Sequence, residues 1–311
     1  MVWLALAGIV LTAVVQALAP NHWPLELLTH FAPQYAVAGT IIAGSALLLG
    51  MRLAAVLAAA VTVFFAVDAW TIETAPGARA GEAAGPSVSV ITFNMFDRNP
   101  RKDELRAWLM TRPADVVALQ EAPATFAAAL RDDGAYPYQT SLFDAGLDGA
   151  EFPEARAITV LSVFPVIDTF KLKRPPDGRA AALVRLAVSP AKDLWLAVVD
   201  TVEPPLTPQR TATRDRYLLG VAARVAHCPG PLMVAGDFNA TPYAPVLKRF
   251  SSIADVRPTG LLDGTWPHWL GPLGLRLDHI LVRGIVVEDV RVLASRGSDH
   301  RPVRALLRLA R

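Results

Sequence analysis

The sequence predicts a layered α/β domain, sheet packed on sheet with helices outside, set behind three membrane-spanning helices. Three observations predict it. The chain is 53% hydrophobic over 311 residues, and the excess is concentrated in the first 72. From residue 87 onward, short β-branched runs alternate with a few long amphipathic segments, the pattern of layered α/β folds. Several of those runs end on a polar side chain able to do chemistry, among them Asn94, Glu121 and Asp237.

Composition narrows the class further. A net charge of +2 excludes a polyanion binder by charge alone. Basic residues gather late, at Arg283, Arg291, Arg296, Arg301, Arg304 and Arg308, as a solvated face also would. The single cysteine, Cys228, excludes an internal disulfide and any multi-thiolate metal site. Next to Pro229 at a helix end, it reads as a small buried hydrophobe.

Residues 2–19 carry no charge, and a bilayer core of about 30 Å needs about 20 apolar residues in a helix. Pro20 and Pro24 end that run, and two more follow at 35–50 and 53–71. Small residues such as Gly39, Ala43, Gly44, Ala55 and Ala58 suit close helix packing in lipid. A cleaved signal peptide and a buried hairpin are the competing readings, but no basic stretch precedes the first run. Arg52 is the only Lys or Arg between the runs, and basic loops stay cytoplasmic. The start of the chain is therefore expected inside, and everything after Trp70 outside. Asp68 fits a helix end nearing the interface. The expected organisation is a membrane domain (1–72), an Ala-, Gly- and Pro-rich linker (73–86) and a catalytic domain (87–311).

Within that domain, Ser87 to Asn94, Asp115 to Glu121, Ile158 to Pro165, Ala180 to Val188 and Leu194 to Val199 read as strands. Asp103 to Thr111 is a helical segment stopped by Pro113. A longer amphipathic helix, Pro208 to His227, feeds the apolar run Leu232 to Ala235. Leu275 to Val282 and Arg301 to Leu309 read as closing strands. Gly236 frees the backbone at a strand end, and alternation would then point Asp237 and Asn239 the same way. One can accept a proton and the other can donate to an oxyanion, as in-line attack of water on phosphorus requires. The same Asp-x-Asn is also ordinary turn chemistry. Glu121 at a strand end is either a hard-cation ligand or a surface residue. Asp278, placed mid-strand among apolar residues, requires a partner, and an imidazolium is the obvious one. His279 beside it points to the other face, as packing.

Taken together, Ile91-Thr-Phe-Asn94, Leu119-Gln-Glu121, Leu161-Ser-Val-Phe-Pro165, Gly236-Asp-Phe-Asn239, Leu277-Asp-His279 and Ser298-Asp-His300 resemble the endonuclease/exonuclease/phosphatase superfamily. That superfamily includes deoxyribonucleases, abasic-site endonucleases, inositol polyphosphate phosphatases and neutral sphingomyelinases. The matching stretches span roughly residues 87 to 308, in the family's order. A membrane-anchored bacterial branch also resembles the whole arrangement. The resemblance implies a four-layer αββα sandwich and a divalent-metal-dependent phosphoester hydrolase, with Mg²⁺ or Mn²⁺ held by Glu121, Asn94 and Asp299. It implies that Asp237 orients or deprotonates water, Asn239 holds a phosphoryl oxygen, and His300, oriented by Asp278, stabilises charge. Magnesium suits such a site because it keeps several waters and asks for few carboxylates.

Two positions depart from the family pattern. Val202 stands where many members carry a histidine, leaving the leaving-group acid unassigned; Glu203 replaces it only if the register slips, and His268 is a second candidate. Phe96 stands where others carry an acid, with Asp97 following. The expected function is a membrane-anchored phosphodiesterase, with nucleic acid as the default substrate and a phospholipid or sphingomyelin headgroup as the alternative. A binding module that kept the fold and lost turnover is the non-enzymatic alternative. Arg98, Arg101 and Lys102, or Lys171, Lys173 and Arg174, are the candidate polyanion contacts. The expected location is the bacterial inner membrane, with the catalytic domain on its extracytoplasmic side.

Overall fold

A computed structural model describes residues 1–18, 22–73, 85–143, 156–172, 181–201, 205–260 and 263–310. The apolar amino-terminal runs form three helices, α1 (Val2–Leu18), α3 (Ala32–Leu48) and α4 (Arg52–Glu73). Between α1 and α3, a single-turn helix α2 (Leu25–Leu28) and a 3₁₀ turn (Thr29–Phe31) fill the Pro-bounded break. Pro33 opens α3 in its first turn, where a missing N–H costs nothing. Gly50, at φ 70°, turns the chain from α3 into α4. The α3–α4 contact needs a small residue: a Cβ on Gly39 would meet Thr62 Oγ1 at 2.4 Å. Outward faces leave Leu4, Leu11, Ile41, Leu48 and Val56 exposed. Most of the 73–86 segment read as a linker lies outside the described residues.

The remaining elements are β1 (Ser87–Asn94), α5 (Lys102–Met110), β2 (Val116–Pro123), α6 (Ala124–Asp132), β3 (Tyr138–Phe143), β4 (Arg156–Ser162), β5 (Val166–Leu172), β6 (Ala181–Ser189), β7 (Lys192–Asp200), α7 (Pro208–Val225), β8 (Leu232–Asp237), α8 (Pro245–Ala254), β9 (Arg257–Pro258), β10 (Asp278–Arg283), β11 (Ile285–Val292) and β12 (Val303–Leu309). They form two six-stranded sheets, ordered β11-β12-β1-β2-β4-β3 and β5-β6-β7-β8-β10-β9. Each sheet has one parallel pair near its middle, β1 with β2 and β7 with β8. Parallel strands need a long crossover, and α5 and α7 supply it.

Central strands are buried on both faces and so read as continuous apolar runs. One face of each sheet meets the other sheet, through Val90, Val116, Val184, Leu196 and Met233. The outer face of the first sheet packs Ile91, Phe93 and Leu119 on Leu105, Leu109 and Phe126 of α5 and α6. The second sheet packs Val199, Leu232 and Val234 on Leu218, Val225 and Phe250 of α7 and α8. The result is the four-layer αββα sandwich. Its polar strand ends meet along one edge.

The structure corrects one placement. Asp278 is the first residue of β10, not the centre of a strand running from Leu275. Residues 264–277 instead form a loop pinched by a Trp266–Leu275 bridge, where glycine backbones touch: a Cβ on Gly264 would lie 2.5 Å from the Gly274 carbonyl. Two helices and four strands escape the sequence reading, α6, α8, β3, β5, β9 and β11. Strands β3, β5, β9 and β11 lie at sheet edges, where one-sided solvation weakens the apolar signal.

Candidate active site

Each functional side chain is delivered by a local break in regular structure. Asn94 closes β1; its Nδ2 donates to Asp237 Oδ2 (3.1 Å) and Glu121 Oε1 (3.4 Å), while its Oδ1 accepts from Phe96 N (3.1 Å). Glu121 sits in a β2 irregularity between Leu119 and Ala122, at φ 57°. That left-handed kink breaks the two-residue alternation and brings its carboxylate to the cleft. On β8, Gly236 adopts φ 139°, and a Cβ there would sit 2.0 Å from the Val199 carbonyl oxygen. Only glycine fits between β7 and β8 at that point.

Asp237 follows as the last strand residue, and Asn239 is left-handed at φ 43°. Asn239 N donates to Asp237 Oδ1 (2.8 Å), and its Nδ2 lies 3.3 Å from Oδ2. The two sequence readings of Asp-x-Asn therefore describe one object: an Asx turn aims both side chains into the cleft. Extended alternation does not do it.

Asp278 faces Asp237 across the β8–β10 register. Its Oδ2 accepts from His300 Nδ1 at 2.8 Å, the buried carboxylate–imidazole pair the sequence predicts. His300 Nε2 is then 3.9 Å from Asp237 Oδ2. Ser298 fixes the approach, donating to Asn94 O (2.8 Å) and accepting from His300 N (3.0 Å). Asp299 Oδ2 accepts from the Trp266 indole N–H (3.1 Å). His279 is packing, as expected: its Nδ1 accepts from Arg276 Nε (3.2 Å), so its Nε2–H donates to Ala240 O (2.8 Å). Burial holds that ring well below its usual range.

Asn94, Glu121, Asp237, Asn239, Asp299 and His300 all line one cleft of ≈ 290 Å³, with Asp278 behind His300. Arg98, Arg156, Thr201 and Trp266 complete its wall. Burial raises the Asp237 carboxyl to about 7, the Asp278 carboxylate adding to it against the opposing pull of His300. Burial pushes His300 down, but the Asp278 and Asp237 carboxylates outweigh it and lift the ring to about 10. At neutral pH the site therefore holds an imidazolium beside a carboxyl poised to give or take a proton.

Two donor sets are candidates to hold a cation. Asp237, Asp278 and His300 bring ligand atoms within 4.8 Å of one another. In that set Asp278 Oδ2 and His300 Nδ1 are already engaged with each other at 2.8 Å, so it fits a cation less well. Glu121 and Asp299 bring carboxylates to the same cleft, the donor chemistry a hard cation takes, beside Asn94, whose Nδ2 faces Glu121 and Asp237.

Sequence reasoning missed three wall residues. Arg156, at the start of β4, pairs with Asp97 (2.7 Å) and reaches Glu121 Oε2 (3.5 Å). Thr201, buried just past β7, donates its N–H to Asp237 O (3.1 Å). Trp266 braces Asp299. The only signal for Thr201 was a polar pair, Asp200-Thr201, ending an apolar strand. His268 is exposed and does not line the cleft. Val202, Glu203, Lys173 and Arg174 lie outside the described residues. Lys171 donates to Phe143 O, and Arg101 pairs with Glu104.

The turn that carries Asp237 and Asn239 is also held from behind. Arg214 of α7, fully buried, donates from Nη1 to Asn239 O (3.1 Å) and from Nη2 to Glu26 Oε1 of α2 (2.7 Å). Thr241 N donates to His30 Nδ1 (3.2 Å), which leaves Nε2–H to donate to the same Glu26 oxygen (3.0 Å). The break between the first two apolar helices is thus part of the site's support.

This fold and this constellation of strand-end residues define a phosphoester-cleaving class of sandwich proteins. The chain belongs to the endonuclease/exonuclease/phosphatase family, whose model matches residues 91–300. It is 29% identical over 148 residues to a "UPF0294 protein" of Klebsiella pneumoniae (strain 342), an alignment covering 47% of this chain and 55% of that one. The chain thus spans about half the length of that curated relative. Among solved structures, an endonuclease/exonuclease/phosphatase protein from Beutenbergia cavernae DSM 12333 is similar with a TM-score of 0.58, 21% identity and 72% of each chain covered. Sphingomyelinase C from Streptomyces griseocarneus is similar with a TM-score of 0.53 and 22% identity, over 71% of this chain and 99% of that one. Both share the fold.

Proposed function

We propose that the chain is a membrane-anchored, divalent-metal-dependent phosphodiester hydrolase. One observation carries this reading: Asp237, Asn239, His300, Glu121, Asn94 and Asp299 converge on one cleft, with Asp278 seated behind His300. Mg²⁺ or Mn²⁺ would be held by Glu121, Asn94 and Asp299. When bound, it would polarise a phosphoryl oxygen and neutralise developing charge. The protein's own groups do the rest. Asp237 accepts a proton from water at its carboxylate, and Asn239 Nδ2 and the His300 Nε2–H donate to phosphoryl oxygens as charge builds on them. Asp278 keeps Nδ1 protonated and the ring aimed. Arg98 and Arg156 add positive charge at the wall, and nucleic acid and lipid headgroup phosphodiesters both suit that wall.

Anchoring is supported by the helices. Leu25–Leu48 and Arg52–Thr71 are long and apolar enough to cross a bilayer, yet only 17% and 28% of their apolar windows are buried. A soluble core helix would be mostly buried. At 17 residues, α1 is shorter, about 26 Å at 1.5 Å per residue. The end of α1, the start of α3 and the end of α4 all contact the catalytic domain, through Gln16 to Tyr243 O, Gln34 to Leu273 O and Asp68 to Lys248. Met1 and Arg52 lie at the opposite ends of those helices, which supports an extracytoplasmic catalytic domain.

The test is hydrolysis by the detergent-solubilised full chain of a bis-aryl phosphodiester, plasmid DNA, RNA and sphingomyelin, with Mg²⁺, Mn²⁺ or chelator. Turnover that needs metal and disappears in Glu121→Ala is expected. A folded, metal-binding chain that cleaves none of them would instead be the fold's non-enzymatic binding module.

A further inference from the structure

The loop between β9 and β10 connects the cleft to the apolar helices. At its base, the Trp266 indole holds Asp299 Oδ2, and His268 N donates to Asp299 O at 2.7 Å. Backbone bonds between Trp266 and Leu275, at 2.9 and 2.6 Å, make the segment a closed finger. At its tip, a 3₁₀ turn (His268–Leu273) presents Trp269 at 71% exposure, Leu270 at 39% and Leu273 at 68%. Gln34, in the first turn of α3, donates to Leu273 O (3.2 Å) and Gly274 O (3.4 Å). The fingertip therefore lies level with the end of α3, where Phe31, Leu25 and Trp23 are also exposed.

Three large apolar side chains on one six-residue turn are costly in water, and none belongs to the buried cores of the domain. Gln34 ties the fingertip to the start of α3, whose outer face exposes Val37 and Ile41. Tryptophan favours the headgroup level of a bilayer, with its ring in apolar material and its N–H in water. Residues 264–275 contain no Lys, Arg, Asp or Glu. A surface that follows a nucleic-acid backbone needs cations along it, and the finger supplies none. We propose that this finger docks on the bilayer that holds α1, α3 and α4, and that the cleft takes the phosphodiester headgroup of a lipid in that bilayer. This rests on the membrane-anchored phosphodiester hydrolase reading and names its substrate.

The experiment uses the full chain reconstituted into phosphatidylethanolamine/phosphatidylglycerol vesicles, with the double variant Trp269→Ser/Leu273→Ser. Release of the lipid headgroup is compared with hydrolysis of a water-soluble bis-aryl phosphodiester, and brominated lipid is used to quench tryptophan emission. The expected result is a fall in headgroup release of about tenfold or more, with soluble turnover unchanged. Bromolipid quenching should also be weaker in Trp269→Phe than in the wild type. Equal losses on both substrates, no loss on either, or cleavage of plasmid DNA but not lipid would overturn the proposal. If the wild type turns over no phosphoester, including the soluble diester, the hydrolase reading falls and the lipid substrate with it. Quenching then decides the docking surface alone: quenched Trp269 upholds it, and unquenched Trp269 removes it.

Discussion

At the scale of the residue, Asp237 shows how burial and neighbouring charge move a common carboxyl into the range where a general base works. It is 2% exposed, faces Asp278 across the strand register and sits 3.9 Å from His300. With its carboxyl raised to about 7, the base form is incompletely populated at neutrality. Turnover is therefore expected to rise with pH through about 7 and to fall near 10, as His300 loses its proton. Asp237→Asn should lower kcat by a factor of about 10²–10⁴ with the fold retained, as read by steady-state kinetics and circular dichroism. The stability sign follows from linkage. A carboxyl whose folded pKa exceeds its unfolded value of 3.8 supports the fold fully below that value, and the support is lost as pH rises through about 7. The melting temperature of Asp237→Asn relative to wild type should thus increase from pH 4 to pH 8 in metal-free protein. A constant difference would show that Asp237 titrates normally.

At the scale of the element, α7 bridges the Asp237–Asn239 turn and the break between the first two apolar helices. Its Arg214 is 0% exposed and is shared between Asn239 O, Asp215 and Glu26. Removing one partner of a buried ion pair strands the other, at a cost of about 3–5 kcal/mol, whereas removing both is often far milder. Glu26→Gln alone should therefore destabilise the full chain strongly. The double variant Glu26→Gln/Arg214→Met should cost less than the sum of the two single changes, because the Glu26–Arg214 contact is lost only once. Thermal unfolding of the four members of this cycle in detergent checks it, and simple additivity would show that the pair is not coupled.

At the scale of the whole molecule, the inter-sheet core is complete without the helices, so a fragment from about residue 80 is expected to fold. It would nonetheless leave Arg214 without Glu26, Thr241 N without His30 and Tyr243 without its apolar cover. Hydrogen exchange across Phe238 to Thr241 should be faster in the fragment than in the full chain. Metal-dependent turnover should fall with it. Equal protection would mean that the amino-terminal helices lend the turn no support.

The central strands and the chemistry-bearing motifs were legible because each is local. Gly236-Asp-Phe-Asn239 and Ser298-Asp-His300 bring their polar groups together within a few residues, and central strands declare themselves as apolar runs. The partner of Asp278 was legible too, since a buried carboxylate demands a cation. Arg156, Thr201, Trp266 and Arg214 were not, because each reaches the site from an element remote in sequence. Glu26 and His30 read only as a break between apolar helices. By itself, the sequence determined the sandwich and the side chains available for chemistry, through periodicity and backbone rules that operate over three or four residues. Only the tertiary structure decided which of them meet, how far burial moves their protons, and that a neutral finger joins the cleft to the helices. Those properties depend on through-space distance and exclusion of water, which packing alone creates.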